Sequence, residues 1–168
     1  MTDNPNYRSL ADALFRANQP APQPFLLRKA KPRVFVSFDF ENDRHFKRLL
    51  EAWSANKRFQ FVFQDMTPQE IQTSSVARVK GVLTTKVQTA THVLVLCGRH
   101  VNQRHPDSAL IGCTNWIHFE CQQAVAYKKK IVAVGLYPGM NVPSNIAQEK
   151  GIWVSSFNEA EIVKALSQ

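Results

Sequence analysis

The chain has 168 residues, no signal-peptide pattern and no run of 18 apolar residues, so we expect one cytoplasmic domain that neither spans a membrane nor is secreted. Its three cysteines make an odd count, which favours reduced thiols over a disulfide framework. The net charge of +8 is shared equally between residues 1–33 and the rest, and no basic stripe with interleaved aromatics indicates a nucleic-acid partner.

Residues 1–32 predict a short helix on a stiff linker, separate from a domain at 33–168. Apolar residues fall at helical spacing within residues 7–17, and the prolines of "QPAPQP" prevent the helix from continuing. A partly ordered extension and a docking arm for a neighbouring subunit are both compatible with this pattern.

The next segments predict a strand, a helix and a second strand. Residues 33–40, "RVFVSFDF", are apolar on both faces, as in a strand buried between two helical layers. Asn42 is a candidate N-cap for a helix whose apolar face would carry Phe46, Leu49, Leu50 and Trp53. Residues 59–65 predict the second strand, and a polar loop follows it.

The second half repeats this alternation. Residues 75–88 predict a helix, 92–98 a third strand, and 99–113 a long loop that could be a lid or an insertion. A helix then begins with Thr114 or Cys113 near its cap. The remaining predicted elements are strands at 130–137 and 151–156 and a last helix. Phe157, Asn158, Glu161 and Ile162 supply the start signal of that last helix.

Five strands that alternate with helices predict an α/β fold with a flavodoxin-like parallel sheet of order 2-1-3-4-5 and helices on both faces. In this topology ligands bind at the carboxyl ends of the first and third strands. The rule selects Phe38 and Asp39 after the first strand and Gly98, Arg99 and His100 after the third. It also selects the beginning of the next helix, where Trp116 and Glu120 lie.

Several familiar chemistries lack their motifs. No GxxxxGK[ST] or G-x-G-x-x-G follows the first strand, no G-x-S-x-G is present, and Cys97-Gly98 stands where a phospho-acceptor aspartate would end the third strand. The cysteines and histidines form no close C-x-x-C or H-x-x-x-H pair, so we expect no metal site.

Three motifs resemble TIR-type domains, and in particular the bacterial TIR-like group of Thoeris antiphage systems. They are "RVFVSFDFEND" at the domain start, the polar loop after "FVFQD", and "NWIHFE" with the Trp116-x-x-x-Glu120 spacing. The resemblance covers about residues 31–168. The resemblance implies cleavage of the nicotinamide–ribose bond of NAD with Glu120 as catalytic residue. It also implies an ADP-ribose-derived signal that reaches a downstream effector. NAD would be the substrate, with no cofactor. This chain departs from the family pattern at Asn115, where a serine or similar small residue is common.

The residue chemistry is compatible with that reading. Loss of nicotinamide leaves positive charge on the ribose, which a carboxylate can stabilise. Four-residue spacing would place Trp116 and Glu120 on one helix face, where both could meet the same ligand. Without the resemblance, the spacing alone favours a solvated glutamate at position 120 over a functional one, and Trp116 could be a core residue.

Further candidate substrate-binding residues are Phe38, Asp39, Ser37, Arg99 and Arg44. Phe38 would stack on a ring or end a core strand, and Asp39 would bind ribose hydroxyls or cap the following helix. Ser37 would pack at the strand end or contact ligand. Arg99 and Arg44 would bind pyrophosphate or remain solvated.

Two other function classes stay open. One is a non-catalytic TIR-like adaptor or nucleotide-binding domain that acts through protein–protein assembly. The other is an enzyme that transfers ribosyl groups of nucleosides or nucleotides with a related sheet and a different catalytic base. The sequence also leaves homo-oligomer formation, the activating trigger and the acceptor of the ADP-ribose group open.

Overall fold

A computed structural model describes residues 31–56, 59, 61–64, 71, 73–147, 149 and 151–168. The predicted leader helix and linker, and most of the polar loop after the second strand, lie outside these residues. We describe the compact unit Lys31–Gln168. Among its described residues, no helix combines the length and the apolarity that a membrane span requires.

The predicted sheet is confirmed. Its strands are β1 (Arg33–Ser37), β2 (Val62–Gln64), β3 (His92–Cys97), β4 (Lys130–Gly135) and β5 (Ile152–Val154). They are ordered β2-β1-β3-β4-β5 and every pair is parallel. The observed strands are shorter than the predicted ones, because apolar residues such as Phe38 continue past the last ladder hydrogen bonds.

In the described part of the chain, five helices connect or follow the strands. They are α1 (Arg44–Ser54), α2 (Val76–Thr89), α3 (Ser108–Ile111), α4 (Trp116–Ala126) and α5 (Glu159–Leu166). The short α3 interrupts the long loop predicted at 99–113. The predicted start of α5 is confirmed: the Asn158 side chain accepts a hydrogen bond from the Glu161 N–H, and Phe157 and Ile162 share one apolar cluster.

Alternation along the strands divides the core into two layers. Val34 and Val36 of β1 pack in the cluster that contains Leu50 of α1 and Ile162 of α5. Phe35 points to the opposite side, where α2, α3 and α4 contribute their buried residues. Ser37 has the same parity as Phe35, so it faces the layer that contains α4.

Two details of the predicted α1 are wrong. Asn42 does not cap it, because the Asn42 amide donates to the Asp39 carboxylate at 2.7 Å and the helix begins one residue later, after Asp43. Leu49 is 46% exposed, whereas Leu50 is buried. The apolar stripe of α1 is therefore narrower than its sequence suggests.

Gly98, directly after β3, leaves room for the side chain of Asp43. Asp43 is 2% exposed, and a Cβ added at Gly98 would lie 1.9 Å from its Oδ2. Burial, reinforced by the negative charge of Asp39, raises the pKa of Asp43 to about 6. Any larger residue at position 98 must therefore displace the buried carboxyl group of Asp43 at the start of α1.

We predict that Gly98→Ala lowers the free energy of unfolding by about 1–3 kcal/mol, because the new methyl group overpacks this contact. Gly81→Ala is the matched control: its Cβ meets nothing within 4 Å in α2, and helix propensity favours alanine by up to about 1 kcal/mol. Urea denaturation of both variants measures the difference. Equal stability of Gly98→Ala and wild type would contradict the packing described here.

Candidate functional site

A cleft of about 500 Å³ lies at the carboxyl ends of β1 and β3, where the topology predicts a ligand site. It combines aromatic, acidic and basic side chains. Its lining residues are Phe38, Asp39, Phe40, Glu41, Asn42, His100, Gln103, Arg104, His105, Pro106, Asn115, Trp116 and Ile117. Three of the residues selected from sequence, Phe38, Asp39 and Trp116, are thus brought together in one cleft.

Asn115 fixes the position of Trp116 at the first turn of α4. Its side-chain oxygen accepts a hydrogen bond from the His118 N–H at 2.9 Å, so Asn115 is the N-cap. Its amide nitrogen donates to the carbonyl oxygens of Val101 and Gln103, both at 2.9 Å. The predicted helix start near Thr114 is therefore confirmed, but the capping residue is Asn115, which also binds the loop after β3.

Glu120 is buried one turn below Trp116, about 6 Å further along the helix axis. It is 3% exposed, and Ser37 Oγ donates a 2.5 Å hydrogen bond to Glu120 Oε2. Ser37 is itself 1% exposed, at the last position of β1. The parity of β1 explains this pair, because Ser37 faces the layer in which α4 packs.

Burial dominates the electrostatics of Glu120. Desolvation raises its pKa from 4.5 to about 8, against a smaller downward effect of the Ser37 hydrogen bond. A glutamate with this pKa is mostly protonated at neutral pH. Glu120 therefore differs from the solvated glutamate that is usual in a helix.

Trp116 and Glu120 have different access to the cleft. Trp116 lines it and packs edge-on against Phe119 and His105, whereas Glu120 is not among the lining residues. The four-residue spacing therefore aligns the two residues along α4, with Trp116 lining the cleft and Glu120 buried one turn further along the helix. A ligand in the cleft therefore does not contact Glu120 unless the protein rearranges.

Phe38 packs in the core at the end of β1, as one of its two predicted roles requires, whereas the predicted cap at Asp39 is wrong, because Asp43 is the N-cap of α1. Phe38 is 5% exposed, packs in the apolar cluster that contains Val34 and Val36 of β1, and also lines the cleft. Asp39 binds the backbone N–H groups of Glu41 and Asn42 and the Asn42 amide, so its carboxylate stabilises the turn before α1. Both residues keep a surface toward the cleft while they support its walls.

Arg44 and Arg99 lie outside the cleft lining. The Arg44 guanidinium stacks over the Phe40 ring at 4.8 Å, and that of Arg99 over the Tyr137 ring at 5.0 Å. The basic side chains that do line the cleft are His100, Arg104 and His105. Sequence reasoning did not select Arg104 or His105, although the length of the 99–113 segment indicated a loop with a role of its own.

A second, more open groove of about 510 Å³ flanks α4, but hydrogen bonds within the protein occupy several of its polar groups. His118 Nε2 bonds the Asn102 side chain at 2.9 Å, and the Asn145 amide donates to the His118 carbonyl oxygen at 2.7 Å. Cys113 donates to Gln122. Within the described residues, no group of three His, Cys, Asp or Glu side chains is placed to hold a metal ion.

Comparison with known proteins identifies relatives of this fold. A family model described as "Thoeris protein ThsB, TIR-like domain" matches residues 35–138, a range that includes Ser37, the cleft and Glu120. A solved structure titled "Crystal Structure of a prokaryotic SEFIR domain" has a TM-score of 0.51 and 14% identity, over 81% of this chain and 94% of that one. At that identity the likeness concerns the fold alone. No curated protein matches the chain significantly.

The raised pKa of Glu120 predicts how stability depends on pH. The unfolded chain loses this proton near pH 4.5 and the folded protein near pH 8, so the free energy of unfolding should fall as pH rises between these values. Glu120→Gln has no proton to lose and should be more stable than wild type at pH 8, by an amount on the order of a few kcal/mol.

Denaturation at pH 4.5, 6 and 8 measures this difference. Asp43 contributes its own decline up to about pH 6, but equally in both proteins, and exposed Glu149→Gln should follow wild type. A constant difference between Glu120→Gln and wild type across this range would contradict a buried, protonated Glu120.

Proposed function

Because the chain belongs to the Thoeris ThsB family of TIR-like domains, we propose that it cleaves the nicotinamide–ribose bond of NAD. Glu120 is the catalytic residue of this proposal. The residues that bind or orient the substrate are Ser37, Phe38, Asp39 and Trp116. The product is an ADP-ribose derivative that acts as a signal in bacterial antiphage defence.

The observation that supports this proposal best is the buried pair of Ser37 and Glu120 beside an aromatic cleft. A buried carboxylic acid in α4 carries a desolvation cost that a leucine or methionine in the same space would not. Perturbed carboxyl groups next to clefts are typical of catalytic sites. Trp116 and Phe38 supply apolar ring surfaces for a base or a nicotinamide ring.

The proposed chemistry needs one carboxylate. As the glycosidic bond breaks, its electron pair stays with the nicotinamide nitrogen, so nicotinamide leaves neutral and needs no proton. Positive charge then develops on the ribose, where an adjacent Glu120 carboxylate stabilises it. Water or another nucleophile completes the bond at the ribose carbon.

Substrate binding would itself promote the ionised form of Glu120. Bound NAD carries a positive nicotinamide ring, and an opposite charge within about 4–6 Å lowers the pKa of a carboxyl group. The hydrogen bond from Ser37 favours the same form. In the free protein Glu120 would be protonated and neutral. The local opening that admits the ribose would also expose Glu120 to water.

A second candidate function is a non-catalytic adaptor or nucleotide-binding domain. The burial of Glu120 favours it, because a glutamate that is 3% exposed and bound to Ser37 contacts no ligand without rearrangement. In that case the Ser37–Glu120 bond would only fix α4 against β1. The two functions differ in whether nicotinamide is released.

We predict that wild-type protein releases nicotinamide from NAD and that Glu120→Gln lowers the rate by about 100-fold or more, the usual effect of removing a transition-state charge partner. Glu149→Gln, an exposed glutamate outside the cleft lining, should retain the wild-type rate. Mass spectrometry identifies nicotinamide and its co-product, at high protein concentration with and without lysate from phage-infected cells. Bound but uncleaved NAD in every condition would favour the adaptor.

We also predict that Trp116→Ala raises the KM for NAD by roughly 10-fold, since stacking on an aromatic ring contributes about 1–3 kcal/mol. Trp153→Ala is the matched control, because Trp153 is 43% exposed on the edge strand β5 and is absent from the cleft lining. Steady-state kinetics of both variants measures the effect. Equal KM values would show that Trp116 does not contact the substrate.

A further inference from the structure

The basic wall of the cleft contains an arginine that is already held in place. Arg104 Nε donates a 2.8 Å hydrogen bond to Ser108 Oγ, and Ser108 is buried at the start of α3. This contact occupies the inner nitrogen of the guanidinium group and leaves the N–H groups of its two terminal nitrogens without an ion-pair partner among the described carboxylates. These groups form a fork of the kind that binds phosphate oxygens in pairs.

The backbone that holds Arg104 is also restrained. Asn115 binds the carbonyl oxygens of Val101 and Gln103, and the His105 N–H donates to the Thr114 carbonyl oxygen at 2.8 Å. The loop after β3 is thus tied on both sides of Arg104 to the segment that begins α4. Less conformational entropy is lost on binding when the binding residue is fixed beforehand.

His105, the residue after Arg104, also lines the cleft. The Asp107 N–H donates to His105 Nδ1 at 3.0 Å, so the neutral imidazole carries its proton on Nε2. His105 lines the cleft beside Trp116, with ring centroids 6.4 Å apart. The arginine and the histidine therefore follow each other along one wall of the cleft.

Acidic residues also line the cleft. Asp39 and Glu41 follow β1, whereas Arg104 and His105 follow β3. The two charge types thus come from different segments. A ligand with separated positive and negative groups, such as a dinucleotide with a cationic ring and a pyrophosphate, is complementary to this distribution.

We propose that Arg104, assisted by His105, binds the diphosphate group of a nucleotide in this cleft and thereby directs its cationic end toward Asp39 and Glu41. The proposal rests on the proposed function for the identity of the nucleotide as NAD. It replaces Arg44 and Arg99 in the pyrophosphate role, since their guanidinium groups stack on Phe40 and Tyr137.

Calorimetric titration with ADP tests this assignment without requiring turnover. Loss of a charge-assisted bidentate contact should weaken ADP binding by roughly 10- to 100-fold in Arg104→Gln. Arg104→Lys keeps the positive charge but lacks the paired N–H groups of the guanidinium, so its affinity for ADP should lie between those of wild type and Arg104→Gln. Exposed Arg78→Gln in α2 is the matched control and should bind ADP like wild type. Nicotinamide riboside, which has no phosphate, should bind wild type and Arg104→Gln equally.

Several results would overturn the proposal. They are absence of ADP binding to wild type, equal ADP affinity of wild type and Arg104→Gln, and a loss confined to Arg99→Gln. If Arg104→Gln does not fold, as judged by circular dichroism, the comparison of Arg104→Lys with wild type decides. Arg104-dependent ADP binding without nicotinamide release would support this assignment while the proposed NAD cleavage fails, so the two failures are distinguishable.

Discussion

The hydrogen bond between Ser37 and Glu120 is the contact on which the candidate site depends, because it joins the last position of β1 to a residue near the centre of α4. Strand alternation directs Ser37 to the side of the sheet covered by α4. The bond gives Oε2 of Glu120 a hydrogen-bond donor in an environment that raises the pKa of this residue to about 8. The acid is thus held close to the cleft, neutral and shielded from water.

The cleft itself follows from the strand order. Chain connections leave the sheet in opposite directions from β1 and β3, and the loops after these strands diverge to form its two walls. Asn115 binds the loop after β3, which forms one wall, to the start of α4. Asp39 stabilises the turn after β1, which forms the other wall. Gly98 lets the Asp43 carboxyl group approach β3 between them. Each wall therefore has its own polar support, independent of any ligand.

Local sequence patterns predict most of the fold because apolar periodicity and caps are local signals. Five strands, their order and the cap at Asn158 were predictable in this way. The capping residue of α4 was not predictable in this way. Asn115 is held as the cap by hydrogen bonds to a loop twelve to fourteen residues away in the sequence. The same limit applies to basic residues in the cleft: whether Arg99 or Arg104 lines it depends on a tyrosine from after β4 and a serine in α3.

The burial of Glu120 was also unpredictable from spacing, which aligns it with Trp116 but does not say how deep the helix packs. A crystal structure of Glu120→Gln with bound NAD would test the central claim most directly. We expect NAD in the cleft, with its nicotinamide ribose against residue 120 and the first turn of α4 displaced to admit it. NAD bound elsewhere, or bound in the cleft while residue 120 stays buried against Ser37, would contradict this claim.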